Sequence, residues 1–126
     1  MYIWLLMGIG GFIGTILRYI IGGWLQSGSS TFPFGTLGVN IIGSFLLGAV
    51  MYLSEFRGIF NEEMGIFLTI GVLGAFTTLS SFSYESFRLF EQKELLLLSI
   101  NLIATVFLSL GAVYLGKIVA LGLWRS

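Results

Sequence analysis

The chain of 126 residues has no histidine and no cysteine. Their absence removes the usual ligands of zinc and haem and all thiol chemistry, and leaves no sign of a redox compartment. Proline occurs once, at Pro33, and charged residues make up only 10% of the chain, six basic against six acidic. So few charges could not cover a soluble domain. The formal net charge is zero and no basic tract is present to hold phosphates, so nothing points to nucleic acid.

What fills the chain is apolar: 56% hydrophobic residues, eighteen glycines and a mean hydropathy of +0.99. Four apolar segments, near 3–25, 34–53, 64–84 and 95–121, each approach the roughly 20 residues a helix needs to cross about 30 Å of hydrocarbon. The first has neither a basic leader nor a small-residue cleavage site before a polar domain, so it reads as a true span rather than a signal peptide. The connections "QSGSSTFP", "SEFRGIFNEE" and "RLFEQKE" hold most of the polar residues, and Pro33 suits the position just before a helix start. The expectation is one domain, an all-α membrane protein of four helices with short loops.

Lysine and arginine in cytoplasmic loops normally set orientation. Here Arg57, Lys117 and Arg125 fall on the side that holds both termini, and Arg18, Arg88 and Lys93 fall on the other. Three against three gives the insertion machinery no instruction. Either a dual topology results, or one or two of these few charges dominate.

Many glycines stand where they let helices approach closely. Gly10 and Gly14 form one small-xxx-small pair and Ser44 and Gly48 another, with Gly22, Gly23, Gly111 and Gly116 adding flat surface. The string "GIGGFIG" has the wrong spacing for a dinucleotide fingerprint and comes after no strand, so it too reads as packing.

Polar residues inside a membrane must face a partner or a cavity. They are Asn40 in the second span, the run "GAFTTLSSFSYE" in the third, and Asn101, Thr105 and Ser109 in the fourth, spaced i, i+4, i+8 on one helix face. A lone hydroxyl commonly bonds back to its own helix, but an aligned stripe suits a path or an interface better. Asn40 could glue two helices together or offer N–H donors to an anion. Thr77, Thr78, Ser80, Ser81 and Ser83 lower helix propensity just after Gly71 and Gly74, so the third helix is expected to break near its middle. Carbonyls freed there are ligands for a small hard cation. Phe82 is either a core residue or a ring whose positive edge attracts an anion.

The segments "GGFIGTILRY", "GTLGVNIIGSFLLG" and "GVLGAFTTLSSFSYE", in this order in so short a chain, resemble the Fluc fluoride channels along essentially the whole length. Three positions depart from the family's third motif: Ala75 stands for a glycine, Ser81 for a threonine, and Leu79 for the first of two paired phenylalanines. The resemblance implies an antiparallel, dual-topology homodimer in a bacterial inner membrane, with two fluoride pathways and a central sodium ion. The sodium would be held by the backbone carbonyls of Gly74 and Thr77 from both subunits. The family's pathway residues fall on Asn40, Phe82, Ser81, Thr105 and Ser109, with Val113 ending the fourth-helix track. Its motif arginine is Arg18, expected in an aqueous vestibule, and its motif glutamate is Glu85.

The implied activity is passive fluoride exit, with no catalytic residue. Neutral hydrofluoric acid enters, dissociates and is trapped as fluoride, and a negative-inside potential drives the anion out by about 2.3 kcal/mol per charge per 100 mV. The alternative from another class is a small dual-topology exporter that exchanges protons for drugs. It needs a titratable carboxylate within a span; the first two spans have none before Glu55, which leaves Glu85. A purely structural scaffold would account for the glycines but not for the clustered hydroxyls.

The balanced charges predict that a cysteine placed by Ser126→Cys, labelled from one side of sealed cells, is modified in roughly half of the molecules. Labelling of all or of none would contradict a dual topology.

Overall fold

The computed structural model describes residues 2–28 and 31–123. Met1, Ser29, Ser30 and the last three residues lie outside it, and with them Arg125 of the charge count. Regular structure among the described residues is helical throughout. α1 (Tyr2–Leu25) and α2 (Phe34–Arg57) are continuous; the third element comes in pieces, α3 (Glu62–Ile66), a π-helical stretch Phe67–Leu73, α4 (Gly74–Phe76) and α5 (Leu79–Glu91); α6 (Leu95–Leu123) closes the chain. Taken whole, the third element runs Glu62–Glu91, and with it four helices are long and apolar enough to cross a membrane.

Each boundary has a local cause. α2 has no side-chain cap at Pro33, so Gln26 from the end of α1 supplies one: its Oε1 accepts from Gly35 N–H at 2.8 Å while its Nε2 donates to Phe32 C=O at 2.9 Å. α2 ends on Gly58, whose φ of 60° lies in the left-handed region that glycine reaches at no steric cost. Asn61 caps α3, its Oδ1 accepting from Met64 N–H at 2.8 Å, and Glu62 and Glu63 occupy the positive end of the helix dipole. α2 and the third element run to 57 and 91, past the apolar windows that end near 53 and 84. Hydropathy marks the stretch that hydrocarbon covers, whereas the backbone ladder continues into the polar layer until a cap stops it. At α5 the extra turn carries the Arg88–Glu91 ion pair at 3.3 Å, and the chain then reverses on Lys93, at a φ of 60°.

Glycines decide which helices touch. α2 and α6 lie against each other, in a register fixed by Gly48 against Val113, by the Lys117 ammonium 5.4 Å above the Tyr52 ring, and by Arg57 donating to Leu121 C=O at 3.5 Å. A methyl on Gly48 would lie 2.5 Å from Val113 C=O, and one on Gly116 would strike Phe45 C=O. In the same way α1 lies along the π-helical stretch, where a methyl on Gly10 would lie 2.8 Å from Phe67 C=O and one on Gly14 would run into Val72 C=O. Few side chains are buried, Val39, Leu73, Phe76, Leu89, Ala112 and Ala120 among them. Trp4, Tyr19 and Trp24 are 77%, 84% and 73% exposed, as suits surfaces that meet lipid or its interface.

Because the α2–α6 contact is backbone against backbone, Gly48→Ala should cost about 1–3 kcal/mol through overpacking. Gly111→Ala, on α6 with nothing within 4 Å of the added methyl, should cost nearly nothing. Thermal unfolding of both variants in detergent checks this, and equal melting temperatures would contradict it.

Candidate functional site

The third element breaks at Thr77 and Thr78, both extended, with φ/ψ of −87°/158° and −151°/121°. A break at membrane depth leaves backbone groups without helical partners, and these must be satisfied by protein or by a water-filled cavity. Asn40, buried in α2, meets that need. Its Nδ2 donates to Thr78 C=O at 3.0 Å and its Oδ1 accepts from Thr78 N–H at 2.8 Å, so one amide side chain closes both polar groups of the broken residue. Of the two roles that the sequence leaves open for Asn40, these bonds supply that of glue. One amide proton remains beyond the bond to Thr78.

Thr78 also caps the second half of the helix. Its Oγ1 accepts from Ser81 N–H at 3.2 Å and contacts Ser80 Oγ at 3.2 Å. These bonds divert two donors. In an unbroken helix Thr78 N–H would go to Gly74 C=O, and Ser81 N–H to Thr77 C=O. Asn40 takes the first and the Thr78 hydroxyl takes the second, which releases the two carbonyls that the family resemblance assigns to sodium. Hard carbonyl oxygens on an unwound segment fit a small hard cation. No cluster of three or more acidic, histidine or cysteine side chains stands ready for a metal among the described residues, so carbonyls are the donors this chain offers.

Two cavities meet at Thr78. One, of about 260 Å³, is a vestibule lined by Arg18, Gln26, Thr36, Thr78, Ser81 and Glu85 among others. Arg18 is held there by donating from Nε to Ala75 C=O at 3.1 Å, a cation at the C-terminal end of the first half-helix, where the dipole favours it. Glu85 has the Thr36 side chain as a hydrogen-bond partner, but its Oε1 is buried without one. The other cavity, of about 290 Å³, is lined by Asn40, Ser44, Thr77, Thr78, Leu79, Phe82, Thr105, Val106 and Ser109. The structure thus divides the seven pathway candidates. Arg18, Ser81 and Glu85 sit on one side of the break, and Asn40, Phe82, Thr105 and Ser109 on the other.

The hydroxyls sort by partner. Thr69, Thr77 and Ser99 bond back to carbonyls one turn earlier, as isolated hydroxyls in membrane helices do. The stripe on α6 is not uniform: Asn101 is buried against Ser86 at 3.0 Å, Thr105 donates to Asn101 Oδ1 at 3.4 Å, and Ser109 Oγ is buried with no partner. Sequence reasoning missed Thr78 as the knot, Ser44 in the cavity wall, and Thr36 beside Glu85. The spacing held a signal for Thr36, which lies one helical turn before Asn40 and so shares its face.

The family described as CrcB-like protein, Camphor Resistance (CrcB), matches residues 5–117. The chain is 62% identical over 122 residues to a Methanosarcina barkeri protein named fluoride-specific ion channel FluC 3, covering 97% of this chain and 92% of that one. It is 64% identical over 123 residues to fluoride-specific ion channel FluC 1 of Methanosarcina acetivorans, covering 98% and 94%. A fluoride-specific ion channel FluC of Agrobacterium fabrum is 44% identical over 112 residues, covering 88% and 90%.

If Asn40 closes the break, Asn40→Ala leaves the Thr78 N–H and C=O both unpaired, at about 1–3 kcal/mol each. Asn40→Asp keeps the acceptor but sets a carboxylate oxygen against Thr78 C=O, and should also destabilise. Thermal unfolding in detergent should show clear losses in both, and a melting temperature unchanged in Asn40→Ala would refute the assignment.

Proposed function

We propose that this chain, which belongs to the CrcB-like protein family, is a fluoride-selective channel that lets fluoride leave the cell down its electrochemical gradient. It is a multi-pass membrane protein and not an enzyme. The observation that carries the reading is the wall of the cavity that holds Asn40 and Phe82: it collects Ser44, Thr105 and Ser109 with no charged residue, and Ser109 Oγ has no hydrogen-bond partner. An unpaired hydroxyl beside a cavity is a donor that a rotation of the side chain would offer to an anion.

The remaining donors suit the same ion. Asn40, with one Nδ2 proton beyond its bond to Thr78, and Phe82 line that cavity, as does Thr105, whose one proton is held only at 3.4 Å by Asn101 Oδ1; Ser81 and Arg18 stand in the vestibule. α5 begins at the break, so the positive end of its dipole is placed at membrane depth where it favours negative charge. None of the residues lining the Asn40 cavity carries a charge, so an anion there is bound by neutral donors and can leave again. A proton-coupled exporter is not favoured: its one candidate carboxylate, Glu85, lies in the vestibule with Arg18.

The working unit in this reading is an antiparallel homodimer with two pathways. Leu79 lines the Asn40 cavity and is 75% exposed on the isolated subunit, so a second copy is the natural completion of that wall. The Gly74 and Thr77 carbonyls of two subunits would together hold one sodium ion. Bound there, the cation would supply fixed positive charge that ties the two broken helices together.

In liposomes the protein should pass fluoride passively and chloride hardly at all. Phe82→Ile keeps the site apolar and filled, at about 1–2 kcal/mol of stability, but removes the positive ring edge. Fluoride efflux should fall by at least about tenfold, a contact worth roughly 1.4 kcal/mol, while the dimer still elutes intact from a sizing column. Leu79 leaves Phe82 as the one ring of the pair in this chain, which sharpens that dependence. Equal efflux of both halides would sink the selectivity, and undiminished flux in an intact Phe82→Ile dimer would return Phe82 to the core.

A further inference from the structure

Asn101 is the most deeply buried polar residue in the described chain, 1% exposed in the isolated subunit. Assembly can only bury it further, so it cannot touch an ion in either cavity, and it lines neither. It nevertheless holds both neighbouring hydroxyls. Its Nδ2 donates to Ser86 Oγ on α5 at 3.0 Å, and its Oδ1 accepts from Thr105 Oγ1, one turn further along α6, at 3.4 Å. Thr105, unlike Asn101, faces the cavity that contains Asn40 and Phe82.

We propose that Asn101 is a positioning residue for the anion pathway, holding the Thr105 hydroxyl and so setting whether its proton or its lone pairs face the cavity. The inference rests on the channel reading above and deepens it. A hydroxyl has one proton. While that proton points at Asn101 Oδ1, Thr105 shows the cavity only lone pairs, which repel an anion. The two bonds that Asn101 makes are unequal. The bond to Ser86 has ordinary length and anchors the amide, keeping Oδ1 aimed at Thr105. The bond from Thr105 exceeds the usual range for O–H···O, so the proton is held weakly and an arriving fluoride can take it by rotation of the hydroxyl. An amide free to turn would compete for the Thr105 proton in no fixed direction; one anchored on α5 does not.

Simple glue between α5 and α6, which meet along little of their length, would use the same contacts. The two roles separate in a double-mutant cycle on fluoride efflux from liposomes, using Asn101→Leu, Thr105→Val and the double variant, each first checked for wild-type elution on a sizing column. Leucine is close to asparagine in shape, which limits loss of packing. If Asn101 acts through Thr105, Asn101→Leu lets the Thr105 hydroxyl bond back to the carbonyl one turn earlier, as Thr69, Thr77 and Ser99 do, and so turns its proton from the cavity; each single variant slows efflux about tenfold, and the double variant is no slower than Thr105→Val alone. Glue would predict independent losses, with the double variant slowed by the product, about a hundredfold. That product, or wild-type flux in either single variant, overturns the proposal. Should Asn101→Leu elute abnormally, Ser86→Ala takes its place in the cycle, because it frees the amide from α5 with little change in packing, and the same outcomes decide. Wild-type protein that passes no fluoride would remove the channel reading and this inference together, whereas normal wild-type flux with multiplying losses removes the inference alone.

Discussion

The two hydrogen bonds between Asn40 and Thr78 make the rest of the structure possible. A helix broken in hydrocarbon exposes peptide groups that lipid cannot satisfy, and each left bare subtracts from stability. One side chain with a donor and an acceptor at the right spacing satisfies both groups of one residue, at 3.0 and 2.8 Å. The consequences run outward from there. Because Thr78 N–H goes to Asn40, Gly74 C=O is released. Because Thr78 is extended, its hydroxyl can cap α5, and that capping bond releases Thr77 C=O. The break also ends one helix dipole and begins another at the same depth. Arg18 meets the first at Ala75 C=O, and α5 begins at Leu79, in the wall of the Asn40 cavity.

Such a knot forms only if α2 and the broken helix come within side-chain reach, and glycine sets that distance. A methyl on Gly43, one turn beyond Asn40, would collide with the Thr77 methyl, and its neighbours include the Phe76 ring. On the other side of the broken helix, Gly10 and Gly14 let α1 lie against the π-helical stretch. π-helical turns are wide and shift the register of the residues after them. Here the shift comes just before Gly74, so it helps set which residues of the break face Asn40 and which face α1. The glycines therefore matter less for flexibility than for the depth at which three backbones meet.

The sequence makes the four spans legible because hydropathy over about 20 residues is a strong signal, and the break legible because five hydroxyl residues come after two glycines. It hides the pairings across helices. Nothing local in "GTLGVNIIGSF" says that Asn40 closes on the backbone of residue 78, or that Ser86 and Asn101 find each other across the turn between α5 and α6. The i, i+4, i+8 spacing places Asn101, Thr105 and Ser109 on one face but cannot say that the first is sealed and the other two line a cavity. Hydropathy also misplaces helix ends for a physical reason, since caps such as Gly58 and the turn at Lys93 lie in the polar layer, where it carries no information.

The polar groups at membrane depth fall into two sets once their partners are counted. Asn40, Thr78, Asn101 and Ser86 are engaged with one another or with backbone, and their bonds hold the helices in register. Ser109 Oγ and Glu85 Oε1 are buried with nothing to bond. A fold that needed only cohesion would have no use for the second set, because an unpaired buried oxygen subtracts from stability. The excess lies in cavity walls on either side of Thr78, and in the Asn40 cavity it is uncharged. An arginine in that position would hold a small anion too tightly for release, while an apolar wall would not replace its water at all. On the proposed reading, neutral hydroxyls held from behind by Asn101, with an aromatic ring beside them, fall between these limits. Discrimination would then depend on where a few protons point rather than on net charge.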